Sequence, residues 1–170
     1  MKDSVTEPSK NFLKNCKMEK TNVLRILDSV KIKYTVHTYD DNVTDGETVA
    51  SLVGLEPDKV FKTLVTVGND LNRYVFVVPV NFSLDLRKAA KAVNVKKVEM
   101  IKQKELFPLT GYVHGGCSPI GMKKKFVTVI CDTATLFDTV ACSGGKRGLQ
   151  IELSPIDLAK ITDAKFEDLI

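Results

Sequence analysis

The chain has little of several things, and each shortage removes a class of function. It holds no apolar run near the roughly 20 residues needed to span a bilayer. Its opening stretch, MKDSVTEPSKNFLKNCKMEK, lacks the apolar segment of a secretory signal. Two histidines and four cysteines (Cys16, Cys117, Cys131, Cys142) are spaced irregularly, without a CxxC. No tetrahedral ligand set is recognisable in that pattern, so neither metal nor cofactor is expected. The cysteines read as reduced thiols of a cytoplasmic protein. The Gly-Lys-Ser/Thr spacing of a phosphate-binding loop is missing, which argues against nucleotide hydrolysis. No internal repeat, low-complexity tract, heavily basic tail or repeated aromatic pattern occurs, so a general nucleic-acid binder is not indicated.

What is present fits one folded domain. The 170 residues are 44% apolar and 27% charged, enough to bury a sizeable core. Residues 1–19 are polar and aperiodic and read as a flexible extension, leaving 20–170 as the domain. Val23, Ile26, Leu27 and Val30 predict a helix from Thr21 to about Val30. The run KYTVHTY alternates as a strand. Asp45 caps a short helix that Gly54 ends. VFKTLVTV and RYVFVVPV, separated by GNDLN, predict a hairpin. Ser83 should open a helix with Leu86, Ala89, Ala90 and Val93 inward. KKVEMI, KKFVTVICD, DTVACSG and GLQIEL predict further strands, and Ser154-Pro155 starts the last helix. The fold class expected is α/β, a single domain with a mixed, mostly antiparallel, curled and barrel-like sheet flanked by helices.

Charge is unevenly spread. The net charge is +4, yet the window from Leu86 to Lys104 alone carries +6. Arg87, Lys88 and Lys91 stand in that window, Lys123 and Lys124 in a second cluster, and Lys146 and Arg147 in a third. Such clusters suit a phosphate backbone, and equally a solvated helix face with turn lysines. Three further features could carry chemistry. In GYVHGGCSPIG (111–121), His114 and Cys117 could form a thiol–imidazole pair. Alternatively, Gly115 and Gly116 present bare amides to an anion or carbonyl, with Ser118 adding a hydroxyl and Pro119 fixing the backbone. SGGKRG (143–148) is a second glycine-rich turn between strands, readable as a plain hairpin turn. Lys62 lies near the start of an apolar strand, either reaching solvent or held in a pocket.

Together, VFKTLV, GYVHGGCSPIG, SGGKRGLQIEL and DLAKITDAKF resemble the YbaK-type aminoacyl-tRNA deacylases, akin to the editing domain of bacterial prolyl-tRNA synthetases. The resemblance runs from about Thr21 to Ile170. It implies a metal-independent hydrolase acting on the ester between a wrong amino acid and the terminal adenosine of tRNA. SGGKRGL is most similar to members that remove cysteine from tRNA(Pro). By this resemblance Lys62 is the central polar residue, and Gly115 and Gly116 contact the scissile carbonyl. Tyr39, Thr63, Ser118, Pro119, Ser143 and Gln150 then fall at substrate-binding positions. Arg87, Lys88, Lys91, Lys123, Lys124, Lys146 and Arg147 would meet the tRNA backbone. In cysteine-specific relatives the substrate's own thiol attacks its carbonyl and leaves as a thiolactone, so no enzyme nucleophile is required. The chain departs from those relatives at Gln150, where they carry an Asp. It is also shorter between Tyr39 and Val49, which would remove a pocket wall. The partners implied are the acceptor end of aminoacyl-tRNA and a prolyl-tRNA synthetase, with the protein itself a monomer or weak homo-oligomer. A deacylase for alanine or another small amino acid and a non-catalytic tRNA- or synthetase-binding module are the alternatives.

Overall fold

The computed structural model describes residues 19–170, so nearly all of the expected N-terminal extension lies outside the described residues. The helix predicted first is α1 (Asn22–Ser29), with Val23, Leu24 and Leu27 buried. Burying each such side chain is worth roughly 1.5–3 kcal/mol. β1 (Thr35–Thr38) and α2 (Gly46–Val53) follow, and Asp45 caps α2 by accepting from the Thr48 N–H. The expected hairpin is β2 (Phe61–Gly68) with β3 (Arg73–Pro79), paired antiparallel from Phe61 opposite Pro79 to Val67 opposite Arg73. Then come α3 (Leu86–Ala92), β4 (Val98–Met100), α4 (Gln103–Thr110), β5 (Val127–Cys131), β6 (Val140–Ser143), β7 (Leu149–Leu153), α5 (Pro155–Thr162) and β8 (Lys165–Glu167).

The strands form two sheets. One is three-stranded and antiparallel in the order β1-β7-β6; the other is five-stranded in the order β4-β2-β3-β5-β8. β3 with β5 and β5 with β8 are parallel, and the remaining pairings antiparallel, so the sheet system is mixed and mostly antiparallel as expected. The sheets touch through one parallel bridge, Val60 with Ala141, rather than a continuous ladder, and no closed barrel forms among the described residues. Both sheets face one main core. Phe76, Val77, Val129 and Ile130 enter it from the large sheet, and Cys142, Leu149, Ile151 and Leu153 from the small one. Because side chains alternate along a strand, the other face of the small sheet carries His37, Ala141, Ser143, Gln150 and Glu152. A satellite cluster of Ala50, Val60 and Ala141 forms on that side, between α2 and the sheets.

Several local expectations are corrected. The cap of α3 is Asp85, whose carboxylate accepts from the N–H groups of Arg87 and Lys88, and Ser83 lies outside the helix. Starting two residues later turns Leu86 to solvent, leaving Ala89 and Ala90 as the buried pair. α4 escapes the sequence reading because Pro108 interrupts a weakly amphipathic run. It is held at its start by the Glu105 carboxylate, which accepts from the Lys102 N–H at 2.9 Å. β8 is a three-residue edge strand, too short to show a period.

Thr21 ties the first helix to the SGGKRG turn. Its hydroxyl accepts from the Leu24 N–H at 3.3 Å and donates to the Gly144 carbonyl at 2.6 Å. Thr21→Ala should therefore cost about 1–2 kcal/mol. Thr21→Ser should retain most of that. Urea unfolding checks this as a lower midpoint at unchanged slope.

Candidate functional site

A cleft of about 420 Å³ opens on the outer face of the small sheet, between α2, the start of β2 and the glycine loop. β2 enters it because Phe61 is buried in the main core and fixes the strand's first turn of the chain. Lys62 and Thr63 follow directly and line the cleft. Lys62 is half-buried and makes no ion pair among the described residues. Burial pushes its amine below the usual lysine value, and the negative Glu47 on α2 partly opposes that shift. A cation held this way is short of solvation and available to an incoming oxygen or phosphate.

The small sheet supplies the opposite wall. Ser143 and Gln150 are direct register partners on β6 and β7, and both line the cleft. Gln150 is only 7% exposed, and its Oε1 has no hydrogen-bond partner. Thr63 Oγ1 is likewise buried and unpartnered. Leaving such a buried polar atom unmade costs roughly 1–3 kcal/mol, so two of them on residues that line one cleft argue for a ligand or water that brings hydrogen-bonding groups. Ser143 Oγ accepts from the Gly145 N–H at 3.2 Å, which leaves its own proton to donate. Tyr39 closes one end and is fixed by its N–H donating to the Gly148 carbonyl at 3.0 Å.

The glycine loop divides into a part that faces the cleft and a part that supports it. Gly115 lines the cleft at φ +84°, and a Cβ there would lie 2.9 Å from Thr44 Cγ2. Gly116 does not line it. Its N–H donates to the Val113 carbonyl at 3.0 Å, and a Cβ would strike the Arg147 backbone nitrogen at 2.9 Å. The expectation of a paired amide cradle is thus corrected to one presented glycine, Gly115, with Gly116 serving close loop packing. Ser118 and Pro119 are also corrected: both are buried beneath the loop, and Ser118 Oγ accepts from the Ile120 N–H at 3.3 Å. Neither lines the cleft.

Of the seven cations, Lys146 and Arg147 lie against the glycine loop through their backbone. Arg87, Lys88, Lys91, Lys123 and Lys124 do not line the cleft. Lys88 is already engaged, paired with Asp168 at 2.9 Å and donating to the Ile170 carbonyl, so it fastens the C-terminal segment to α3. The segment between Tyr39 and Val49 does not leave a wall open; Thr44, Asp45 and Gly46 line the cleft. Leu106 of α4 lines it too and was missed along with its helix. Among the described residues, no group of three or more His, Cys, Asp or Glu is placed to hold a metal ion.

His114 and Cys117 both line the cleft, yet no hydrogen bond joins them among the described residues. Burial pushes the Cys117 thiol up to about 12, a shift that the Thr110 hydrogen bond opposes only in part. Almost no thiolate exists at neutral pH, and the thiolate is the nucleophilic form. Iodoacetamide at pH 7.5 should accordingly alkylate Cys117 at least tenfold more slowly in the folded protein than in urea, as read by peptide mass mapping.

Comparison with known proteins agrees with this architecture. The aminoacyl-tRNA editing domain family matches residues 40–161. A protein of Enterococcus faecalis named as a Cys-tRNA(Pro)/Cys-tRNA(Cys) deacylase, EbsC, is 43% identical over 153 residues, covering 89% of this chain and 93% of its own. A crystal structure described as a trans-editing enzyme for prolyl-tRNA synthetase superposes with a TM-score of 0.76 at 24% identity, over 89% of this chain and 98% of that one. The crystal structure of a hypothetical protein superposes with a TM-score of 0.80 at 22% identity, over 86% of this chain and 97% of its own. No helix among the described residues is long and apolar enough to cross a membrane. With its match across most of the domain and its identity to EbsC over nearly the whole chain, the protein belongs to the aminoacyl-tRNA editing domain family.

Proposed function

We propose that the protein is a cytoplasmic trans-editing hydrolase that removes cysteine mischarged onto tRNA(Pro). The observation that carries this reading is the cleft that joins the poorly solvated Lys62 amine, the Gly115 backbone and the unpartnered oxygens of Thr63 and Gln150. At about 420 Å³ it falls within the roughly 300–1,000 Å³ range of small-ligand sites. That range suits the aminoacylated 3′ end of a tRNA, not a duplex. We take residues 20–170 as the domain and read its two sheets, which meet at the Val60–Ala141 bridge, as an open, barrel-like arrangement.

In this reading Lys62 draws in the 3′ end of the tRNA and orients the ester. The Gly115 N–H donates to the carbonyl oxygen as it gains negative charge. The cysteine thiol of the substrate attacks its own carbonyl carbon, a C–S bond forms and the ester C–O bond breaks. The 3′-oxygen departs with a proton, the thiol having lost one, and the amino acid leaves as a cyclic thiolactone. Holding the thiol over the carbonyl is the protein's main contribution, because such proximity is worth several kcal/mol of barrier. Cys117 plays no covalent part. Arg87, Lys91, Lys123, Lys124 and Lys146 meet acceptor-stem phosphates weakly and without sequence readout, and a prolyl-tRNA synthetase supplies selection of the tRNA. The protein works as a monomer or weak homo-oligomer.

The second reading is a deacylase for alanine or another small amino acid, and Gln150 favours it. Cysteinyl and alanyl esters carry the same ammonium, but only the thiol route needs it anchored so that the side chain reaches the carbonyl. An amide at this buried position gives that ammonium no opposite charge. Gln150→Asp should shift the ratio of cysteinyl- to alanyl-tRNA(Pro) deacylation toward cysteine by about 10–100-fold, the worth of one charge-assisted hydrogen bond. Parallel time courses on both substrates measure it, and an unchanged ratio refutes a specificity role for this position.

A panel of aminoacyl-tRNAs with product analysis for a thiolactone tests the function itself. Lys62→Ala should lower deacylation by at least about 100-fold with unchanged circular dichroism, while Cys117→Ala keeps most activity and chelators have no effect. Because the Lys62 amine is depressed, its charge is lost at lower pH than an ordinary lysine's 10.5. Blank-corrected deacylation should therefore fall on the alkaline side before that value. An inactive Cys117→Ala beside an active Lys62→Ala would show that the mechanism is wrong.

A further inference from the structure

Building on that reading, we propose that Arg147 is a positioning residue for the reaction, holding the His114–Gly115 peptide so that its N–H faces the scissile carbonyl. Arg147 Nε donates to the His114 carbonyl oxygen at 2.8 Å. The peptide between His114 and Gly115 is trans, as are all the others described. In a trans peptide the C=O and the following N–H point in opposite directions. Fixing the His114 oxygen toward Arg147 therefore turns the Gly115 N–H to the side away from it. We place the cleft on that side, because Gly115 lines it and Arg147 does not. The Gly115 N–H has no acceptor among the described residues, so the donor is free for a ligand.

The local packing makes this arrangement rigid. Gly116 lets the two loops meet backbone to backbone, its missing Cβ lying 2.9 Å from Arg147 N and 3.0 Å from the Lys146 carbonyl carbon. On the side where a Cβ would stand, Gly115 is crowded by Thr44 Cγ2 at 2.9 Å and by Arg147 Nε at 3.3 Å. At φ +84° the peptide plane has more rotational freedom than an ordinary residue allows. The Arg147 hydrogen bond removes that freedom without occupying the cleft. A donor preset before the charge develops costs nothing to reorganise during the reaction. Arg147 thereby differs from Arg87, Lys91, Lys123, Lys124 and Lys146, whose side chains make no hydrogen bond or ion pair among the described residues. Its charge is incidental to this role, and its planar N–H in a fixed direction is what matters.

Two variants separate positioning from phosphate binding. Arg147→Lys keeps the charge and loses the planar Nε donor; Arg147→Gln loses both. Single-turnover deacylation of cysteinyl-tRNA(Pro), measured against protein and salt concentration, should show the rate at saturation reduced about 10–100-fold in both variants. The half-saturating concentration and the salt slope should stay within about twofold. In nitrogen–proton NMR spectra of the unliganded protein, the Gly115 amide resonance should move in both variants, with core resonances unchanged. The inference is overturned if Arg147→Lys matches the wild type while Arg147→Gln only weakens binding and flattens the salt slope. It is equally overturned if the Gly115 resonance stays in place in both. A wild-type protein that deacylates nothing would refute the proposed activity instead, and the Gly115 resonance would still decide whether Arg147 sets this peptide.

Discussion

The loop 111–121 and the turn 143–148 meet backbone to backbone at Gly116, and the geometry of the site depends on that contact. Any side chain at Gly116 would have to displace main-chain atoms of Lys146 and Arg147, not the movable end of a side chain. Because the two segments touch, the position of Gly115 follows from the position of β6 and β7, which bracket the turn. Thr21 adds a tether from the other direction through the Gly144 carbonyl. The wall that presents Gly115 is in this way tied to the first helix and the small sheet, although its own residues form no regular structure. A bare backbone donor on a loop becomes a fixed feature only through such over-determination.

The small sheet does two jobs because strands alternate. Leu149, Ile151 and Leu153 fill the main core, while Gln150 and Glu152 face the other way. Beside the cleft on that second face, the Glu152 carboxylate accepts from Thr139 Oγ1 at 2.5 Å and pairs with His37 at 2.9 Å and Lys59 at 3.4 Å. The Thr139 hydrogen bond chiefly, then His37 and Lys59, holds this carboxyl below its usual value. These four side chains lock β1, β7 and the turn before β2 together. That turn leads directly into Lys62. The hydrophobic register and this polar cluster consequently set the two walls of the cleft with respect to each other.

Much of this was legible in the chain. Helical spacing and caps gave α1, α2 and α5, and alternation with turn residues gave the hairpin of β2 and β3. The resemblance to the deacylases points to Lys62, Tyr39, Thr63, Ser143 and Gln150, and the fold gathers all five around one cleft. What failed did so for identifiable reasons. Pro108 hid α4, and with it Leu106. Asp85 outcompeted Ser83 as a cap because two N–H groups reach its carboxylate. Lys88 looked like a free cation, since nothing local reveals that Asp168 and the Ile170 carbonyl come 80 residues later to meet it. Ser118 was read as a ligand hydroxyl, yet its oxygen turns inward to the Ile120 N–H, a choice made by the burial of Pro119 and Ile120 around it.

In the chain alone, spacing left Lys62, the two glycine turns and the His114–Cys117 pair open, and the resemblance to the deacylases chose among them. The sequence by itself determined the elements, through periodicities that act over a few residues. The tertiary structure decided which groups are free. Gly115 and Gly116 are identical in the chain, and only the fold commits one amide to Val113 and leaves the other without an acceptor. Cys117 is an ordinary thiol until burial raises it, and Lys62 an ordinary amine until burial lowers it. Availability depends on what lies within a few ångströms in space, and that distance is set by packing rather than by order along the chain.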